Sequence, residues 1–399
     1  MPDNELFTIA LNLEKPWYVK EVKFDPSGKR LDIYMGRTSE LLPCPVCGKP
    51  CIDYDSMERQ WRHLDFFQYE AYIHARIPRT NCREHGIKTV NVPWTGKDSG
   101  FTKLFEYHAL DFCREMPVSS VSLFLHTGQD SVWRILKHYV DKARENMNLS
   151  GIENIGVDEI AIMKGHKYET IFYDHRERRV IHTEMGKKNT VFRKLKKKLP
   201  EPGKVKTVSM DMARWYILGV GKYFPKSQIV FDHFHLIKGM NDTVDGVRRR
   251  EQKKNPLLKN TRFSWLKNTS SMTGKEKKRF KTIRYLDLQT AKAYHLRIAL
   301  QRLWTIPKIM AGKYLERWIA WAIRSGIREV VRYGKSMKRH SEGIIRAIML
   351  DLSNSVSEGI NNKIKTAFKR SYGFKSDEYR DTMIFLVAGK LDLPTLLQG

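Results

Sequence analysis

Long apolar runs are missing from this 399-residue chain. No stretch approaches the roughly 18 consecutive apolar residues of a membrane span, and Met1-Pro2-Asp3-Asn4-Glu5 is acidic where a secretory leader would be basic. Neither a membrane protein nor an exported one is expected, and a cytoplasmic location is. Cysteine is scarce: the 5 in the chain, an odd number, argue against a disulfide framework and leave each thiol as a ligand or a core residue. Negative charge is short as well. The 44 Asp and Glu face 72 Lys and Arg, for a formal net charge of +28. An excess of that size calls for a polyanionic partner, nucleic acid first. Hydrophobic residues make up 41% and are spread along the chain, so the charge sits on a folded protein of about two to three domains and not on a basic tail.

The most informative stretch is Asn154-Ile155-Gly156-Val157-Asp158-Glu159-Ile160-Ala161-Ile162. Its β-branched residues favour a buried strand, and an ionised Asp158 there needs a counter-charge or a metal. Val205 to Asp211 repeats the pattern, a short β-branched strand ending in an aspartate. Ser355-Val356-Ser357-Glu358 starts a helix with a glutamate in a capping-box arrangement. A lone aspartate at a strand end is usually a turn or cap residue, but the context differs here. His166–Asp174 and Arg178–Met185 read as strands, and Asn189–Leu199 reads as a helix before the Asp211 strand. The order β-β-β-α-β-α-β-α, with carboxylates on the first and fourth strands and the last helix, is that of a ribonuclease-H-like core. Three such carboxylates suit a two-metal phosphoryl-transfer site.

Cys44-Pro45-Val46-Cys47-Gly48 is a CxxC followed by glycine, the turn that lets two thiolates close on one zinc ion. Cys82-Arg83-Glu84-His85-Gly86 supplies a matching Cys-x-x-His, which completes a Cys3His site. Residues 48–81 separate the halves, and strands at Arg62–Tyr72 and Ile73–Arg79 would fill the gap with a hairpin. Cys51 and His63 are rival ligands; Cys113, inside a helical pattern, reads as a small buried hydrophobe.

From Phe101 to Glu145 the periodicity is helical, broken at Met116-Pro117 and at Thr127-Gly128-Gln129-Asp130. These are the proportions of a helix-turn-helix whose last helix lies in the major groove, with Arg134, Lys137 and His138 on its outer face; a plain three-helix bundle has the same pattern. Lys187, Lys188, Arg193, Lys194, Lys196, Lys197 and Lys198 are dense enough for phosphate contacts, although charge runs are more often only solvated faces. Gln228 to His235 is a further strand with polar residues at its end, where Asp232 and His235 read equally as helix caps and as neighbours of a metal or of DNA. Between Arg248 and Arg346 basic clusters punctuate amphipathic stretches such as Ala291–Leu303 and Tyr314–Ser325. The interval from Asp211 to Glu358 is nearly three times that from Asp158 to Asp211, room for a helical insertion in the core.

Taken in order, Trp17-Tyr18-Val19, Cys44 to Gly48, Trp61-Arg62-His63-Leu64-Asp65, Val157-Asp158-Glu159, Ser209-Met210-Asp211, Phe231-Asp232-His233-Phe234-His235 and Glu358-Gly359-Ile360-Asn361-Asn362-Lys363-Ile364-Lys365 make the chain resemble, over essentially its whole length, the bacterial DDE transposases of the ISL-three insertion-sequence family. The resemblance implies a multidomain α/β protein. A β-rich, zinc-ribbon-like domain would occupy residues 1–100 and a helix-turn-helix 101–150. A ribonuclease-H-like catalytic core would follow, in parts at 151–250 and 346–399 around a helical insertion at 251–345. By the same resemblance Asp158, Asp211 and Glu358 form the catalytic, Mg2+- or Mn2+-binding triad. Cys44, Cys47, Cys82 and His85 hold structural zinc, although a second CxxC is what the family pattern would suggest in place of Cys82/His85.

The implied partners are double-stranded DNA, both the element's terminal inverted repeats and the target, and a second copy of the chain or more on that DNA. Arg134, Lys137, Lys194, Lys197, Asn362, Lys363 and Lys365 are the DNA-contact candidates. Two ions about 4 Å apart would activate water and stabilise the leaving 3′ oxygen, and the freed 3′-OH would then attack target DNA. Rival readings are a zinc and helix-turn-helix transcription regulator, which leaves the carboxylates idle, and a ribonuclease-H-like nuclease that cuts without joining.

Overall fold

The computed structural model describes residues 3–39, 41–96, 99–163, 167–186, 188–267, 271–350 and 355–395, without the side chains of Asp3, Met163, Arg279 and Ser355. His166, where a strand was expected to begin, and Lys187 lie outside the described residues, as does the Ser355 side chain of the expected capping box. The chain packs as two compact units: Met1–Met147 with Lys365–Val387 and Leu391–Gly399, and Asn148–Ile364 with Ala388–Lys390.

In the first unit a short helix α1 (Asp3–Ala10) precedes β1 (Trp17–Asp25) and β2 (Arg30–Arg37), an antiparallel pair whose turn is held by Asp25 Oδ1 accepting from the amides of Ser27 and Gly28. After β3 (Leu41–Pro43) come the long strands β4 (Pro50–Arg62) and β5 (Glu70–Cys82), then β6 (Gly86–Thr89). The sheet order is β1-β2-β5-β4-β3, with β6 on β5 and β2 parallel to β5. The period-2 pattern of β2 and β5 sends Leu31, Ile33, Met35, Ala71, Ile73, Ala75 and Ile77 to one face, where Trp17, Trp61 and Trp94 complete the core.

The expected hairpin therefore exists, but its strands are Pro50–Arg62 and Glu70–Cys82, and the expected strand Arg62–Tyr72 is largely the connecting turn. The reason is exposure. Within β4 only Cys51, Trp61 and Arg62 are buried, so no apolar alternation announces it.

Three helices follow: α2 (Lys103–Glu115), α3 (Val118–Phe124) and α4 (Gln129–Glu145). Thr102 caps α2 by accepting from the Phe105 amide, Pro117 precedes α3, and Phe105, Leu110, Val121, Val132, Leu136 and Val140 are buried. Cys113 is buried among them and burial pushes its thiol up to about 12, as a core residue requires.

The second unit is built on β7 (Asn154–Met163), β8 (Lys167–Asp174) and β9 (Arg179–Met185), paired antiparallel in sequence. Helix α5 (Val191–Lys198) leads to β10 (Thr207–Met210), α6 (Arg214–Tyr223) leads to β11 (Gln228–Phe231), and both strands run parallel to β7 in the order β11-β10-β7-β8-β9. The remaining described α-helices are α7 (His233–Gln252), α8 (Arg262–Leu266), α9 (Gly274–Ile283), α10 (Gln289–Arg302), α11 (Ala311–Arg324), α12 (Arg328–Arg339), α13 (Ser341–Leu350) and the first part of α14 (Ser355–Ser371). Leu236, Met240, Val244, Leu296, Leu300, Leu315, Trp318 and Val330 are buried there, and the Trp318 indole donates to the Leu296 carbonyl at 2.8 Å.

Helix α14 passes from the second unit into the first between Ile364 and Lys365, and α15 (Asp377–Ala388) belongs mostly to the first unit. There Tyr379 stacks on Trp133 of α4, rings 4.2 Å apart and 3° from parallel, and Arg144 lies over the Phe385 ring. Among the described residues no helix is long and apolar enough to cross a membrane.

Candidate metal centres and nucleic-acid surface

Two sharp turns, one before β4 and one after β5, lie at the open end of the β4–β5 hairpin and bring four ligand atoms together. Cys44 N–H donates to the Lys49 carbonyl and Gly48 N–H to that of Cys44, closing the first turn; Gly48 at φ +71° and Gly86 at φ +67° occupy the left-handed region that glycine tolerates. Cys44, Cys47, Cys82 and His85 offer ligand atoms that all lie within 4.8 Å of one another. Cys47 Sγ is 3.7 Å from Cys82 Sγ, and His85 Nδ1 is 3.5 Å from Cys82 Sγ and 3.9 Å from Cys44 Sγ. Zinc bonds of about 2.3 Å to sulfur and about 2.0 Å to nitrogen give tetrahedral edges of about 3.8 and 3.5 Å, so these three separations are close to those a zinc ion requires. Backbone amides favour the thiolates that zinc requires. Those of Cys47 and Val46 lower the Cys44 thiol, and those of Glu84 and, after burial has opposed it, His85 lower Cys82 to about 7.

The rivals fall away. Cys51 donates its S–H to the Lys49 carbonyl and burial raises its pKa, while His63 pairs with Thr102 Oγ1 at 2.9 Å and is pushed down to about 4 by burial.

In the second unit the parallel strands β7, β10 and β11 run in one direction, and carboxylates lie along or just beyond them. Asp158 lies within β7, Asp211 follows β10, and Asp232 follows β11 as the N-cap of α7, accepting from the Phe234 amide at 2.7 Å. His235, on the first turn of α7, places Nε2 3.7 Å from Asp158 Oδ1 and Nδ1 3.7 Å from Asp211 Oδ2. Asp158 Oδ1 also accepts the Glu159 amide at 2.7 Å. Burial is the strongest influence on Asp158 and pushes it up. His235, the Glu159 amide and the Asn361 amide together outweigh burial and hold Asp158 below the ordinary carboxylate range. At Asp232 burial is again the strongest influence, and here His235 and the Phe234 and His235 amides do not offset it, so the carboxyl is raised.

Glu358 is exposed on the first turn of α14, and three residues on, Asn361 Nδ2 donates to Asp158 Oδ2 at 2.5 Å. Asn361, which sequence reasoning did not single out, is the α14 residue that meets a strand carboxylate. Its spacing of three from Glu358 was the available signal. Asn362, Lys363 and Lys365 are exposed.

Of the residues expected to meet DNA, Arg134 and His138 lie exposed on α4, whereas Lys137 is half-buried and paired with Asp141 at 2.8 Å and with Glu378 of α15 at 3.9 Å. On α5, Lys194 pairs with Glu184 and Lys198 reaches the Ile181 carbonyl, leaving Arg193, Lys196 and Lys197 on the exposed face.

Carboxylates along and just beyond parallel strands, in a chain this basic, are compatible with more than one activity on a polyanionic backbone. Family models separate the possibilities. One described as "Transposase" matches residues 155–384, more than half of the chain. The "Helix-turn-helix domain of transposase family ISL3" matches 90–140, and the "zinc-finger of transposase IS204/IS1001/IS1096/IS1165" matches 41–85. The chain belongs to the ISL3 family of transposases and is a DDE-type enzyme acting on DNA, with a structural zinc site. It is 28% identical over 374 residues to the transposase for insertion sequence element IS1001 of Bordetella parapertussis, covering 89% of this chain and 90% of that protein. It is 24% identical over 416 residues to the transposase for insertion sequence element IS1557 of Mycobacterium tuberculosis, with 95% and 94% covered.

Proposed function

We propose that Asp158, Asp211 and Glu358 hold the divalent metal ions of a strand-cleaving and strand-joining site in a ribonuclease-H-like core. The observation that carries the reading is the convergence on Asp158: His235 links it to Asp211, and Asn361 ties it to the helix turn that bears Glu358. The sheet order, three antiparallel strands followed by two parallel to the first, supports the core assignment, and the helices between β11 and α14 support an insertion at 251–345. The donors are hard carboxylate oxygens, which fit Mg2+ or Mn2+ rather than zinc. When bound, two such ions supply an activated water or 3′-OH nucleophile and charge neutralisation at the phosphate.

The protein's own part is to hold the three carboxylates fixed, to keep Asp158 ionised by the contacts named above, and to bring the DNA backbone to them. Arg134 and Lys137 of α4 read the terminal repeats, while Lys194 and Lys197 of α5 and Asn362, Lys363 and Lys365 of α14 meet phosphates. Pairing two ends calls for at least two copies of the chain on DNA inside the cell, at the nucleoid. The test is cleavage and joining of labelled DNA carrying the host element's ends with Mg2+. A regulator would do neither, a nuclease would cut without joining, and Asp211→Asn must abolish both activities while end binding persists.

A further inference from the structure

Asp158 and Glu358 come from a strand and a helix far apart in sequence, yet a shared metal site needs them at a fixed separation. Two side chains outside the triad tie that helix turn to the sheet. Asn361 donates to Asp158 Oδ2, the oxygen left over once Oδ1 has taken the Glu159 amide and faced His235. On the other side of Glu358, the buried Ser357 lies beside the hydroxyl of Tyr173. Tyr173 is a fully packed ring on β8 that lies over Gly156 of β7, where any side chain would overlap it, and its hydroxyl also meets Ser209 on β10. Ser209 in turn pairs with His175 Nε2 at 2.6 Å. The turn carrying Glu358 thus meets the sheet on both sides of that residue, packed against its interior before Glu358 and hydrogen-bonded to a carboxylate after it.

We infer that Asn361 is a positioning residue of the divalent-metal site: its amide fixes one oxygen of Asp158 and docks the Glu358 turn against it. The inference rests on the reading of Asp158, Asp211 and Glu358 as metal ligands. An amide suits the task because it donates to a carboxylate without adding charge, so it orients Asp158 while leaving the site's negative charge for the ions. A hydrogen bond with only a structural role would alter melting. A positioning bond alters the affinity for the ion, since outer partners of ligating carboxylates typically govern 10–100-fold in metal binding.

The experiment measures Mn2+ binding to the full chain by electron paramagnetic resonance, with melting temperature, end-DNA binding and cleavage across a Mn2+ titration alongside. The proteins are wild type, Asn361→Ala, the nearly isosteric Asn361→Leu, and Asp158→Asn. The expected result is that both Asn361 variants bind Mn2+ about 10–100-fold more weakly than wild type while binding end DNA normally. Their cleavage should return as Mn2+ is raised by the same factor, and that of Asp158→Asn should not return. Wild-type Mn2+ affinity in the folded Asn361→Leu protein, whatever its melting temperature, overturns the inference and leaves the triad standing. Wild-type affinity in Asp158→Asn instead removes the triad reading itself.

Discussion

Zinc removal is expected to unfold a corner of the N-terminal sheet and to spare the sheet. The buried residues of that region form two separate clusters. One is the large core of Trp17, Val19, Leu31, Ile33, Trp61, Ile73, Ile77 and Trp94; the other is only Cys44, Cys51 and Cys82, with Cys47 packed against them. Three or four thiols bury little apolar surface, on the order of 2 to 3 kcal/mol at about 25 cal/mol per Å2. A structural zinc contributes on the order of 10–16 kcal/mol of apparent binding energy at neutral pH. The ion therefore dominates the turns at Cys44–Gly48 and Cys82–Gly86 and contributes little to the sheet core. The full chain should contain about one zinc per molecule by elemental analysis. After chelation, hydrogen exchange should quicken in peptides covering 41–51 and 82–88 and remain slow in those covering 31–35 and 71–77. Cys82→Ser should reproduce the pattern without chelator. Equal loss of protection in both sets would refute the separation of the two clusters, and a folded chain with no zinc would refute the site.

Glu358→Gln keeps side-chain size and helix-start hydrogen bonding but removes the charge; it should melt within about a degree or two of wild type, bind end DNA, and neither cleave nor join it in a gel assay. End binding measured across salt should fall with a log–log slope near −0.9 for each phosphate neutralised, and a flat response would place the +28 charge away from the DNA. Gly156→Ala should cost about 1–3 kcal/mol in denaturant titrations because a methyl group there overlaps the Tyr173 ring; unchanged stability would show that the ring is free to move. His63, pushed down to about 4 by burial, is neutral in the fold and charged more readily when unfolded. Its contribution is thus intact above the unfolded value near 6.5 and is lost as pH falls toward 4, by on the order of 3 kcal/mol. His63→Gln should flatten that part of the acid stability curve relative to wild type, and parallel curves would contradict the burial argument.

What the sequence determined by itself was local. Cys44, Cys47, Cys82 and His85 were legible because zinc knuckles are set by two-residue spacings and a following glycine. The breaks at Met116-Pro117 and Gly128 were legible because proline and glycine act on their own backbone. Asp158 and Asp211 stood out because carboxylates against β-branched runs are costly wherever the chain goes. The tertiary structure decided what depends on neighbours distant in sequence. It put Asn361 on Asp158 and His235 between two aspartates; it also set Lys137 against Glu378. It placed β4 in a stretch whose exposed residues carry no alternation, because pairing with β5 and not burial makes that strand. Periodicity reports which face of an element is apolar, but which residues meet across elements is settled only when those faces pack.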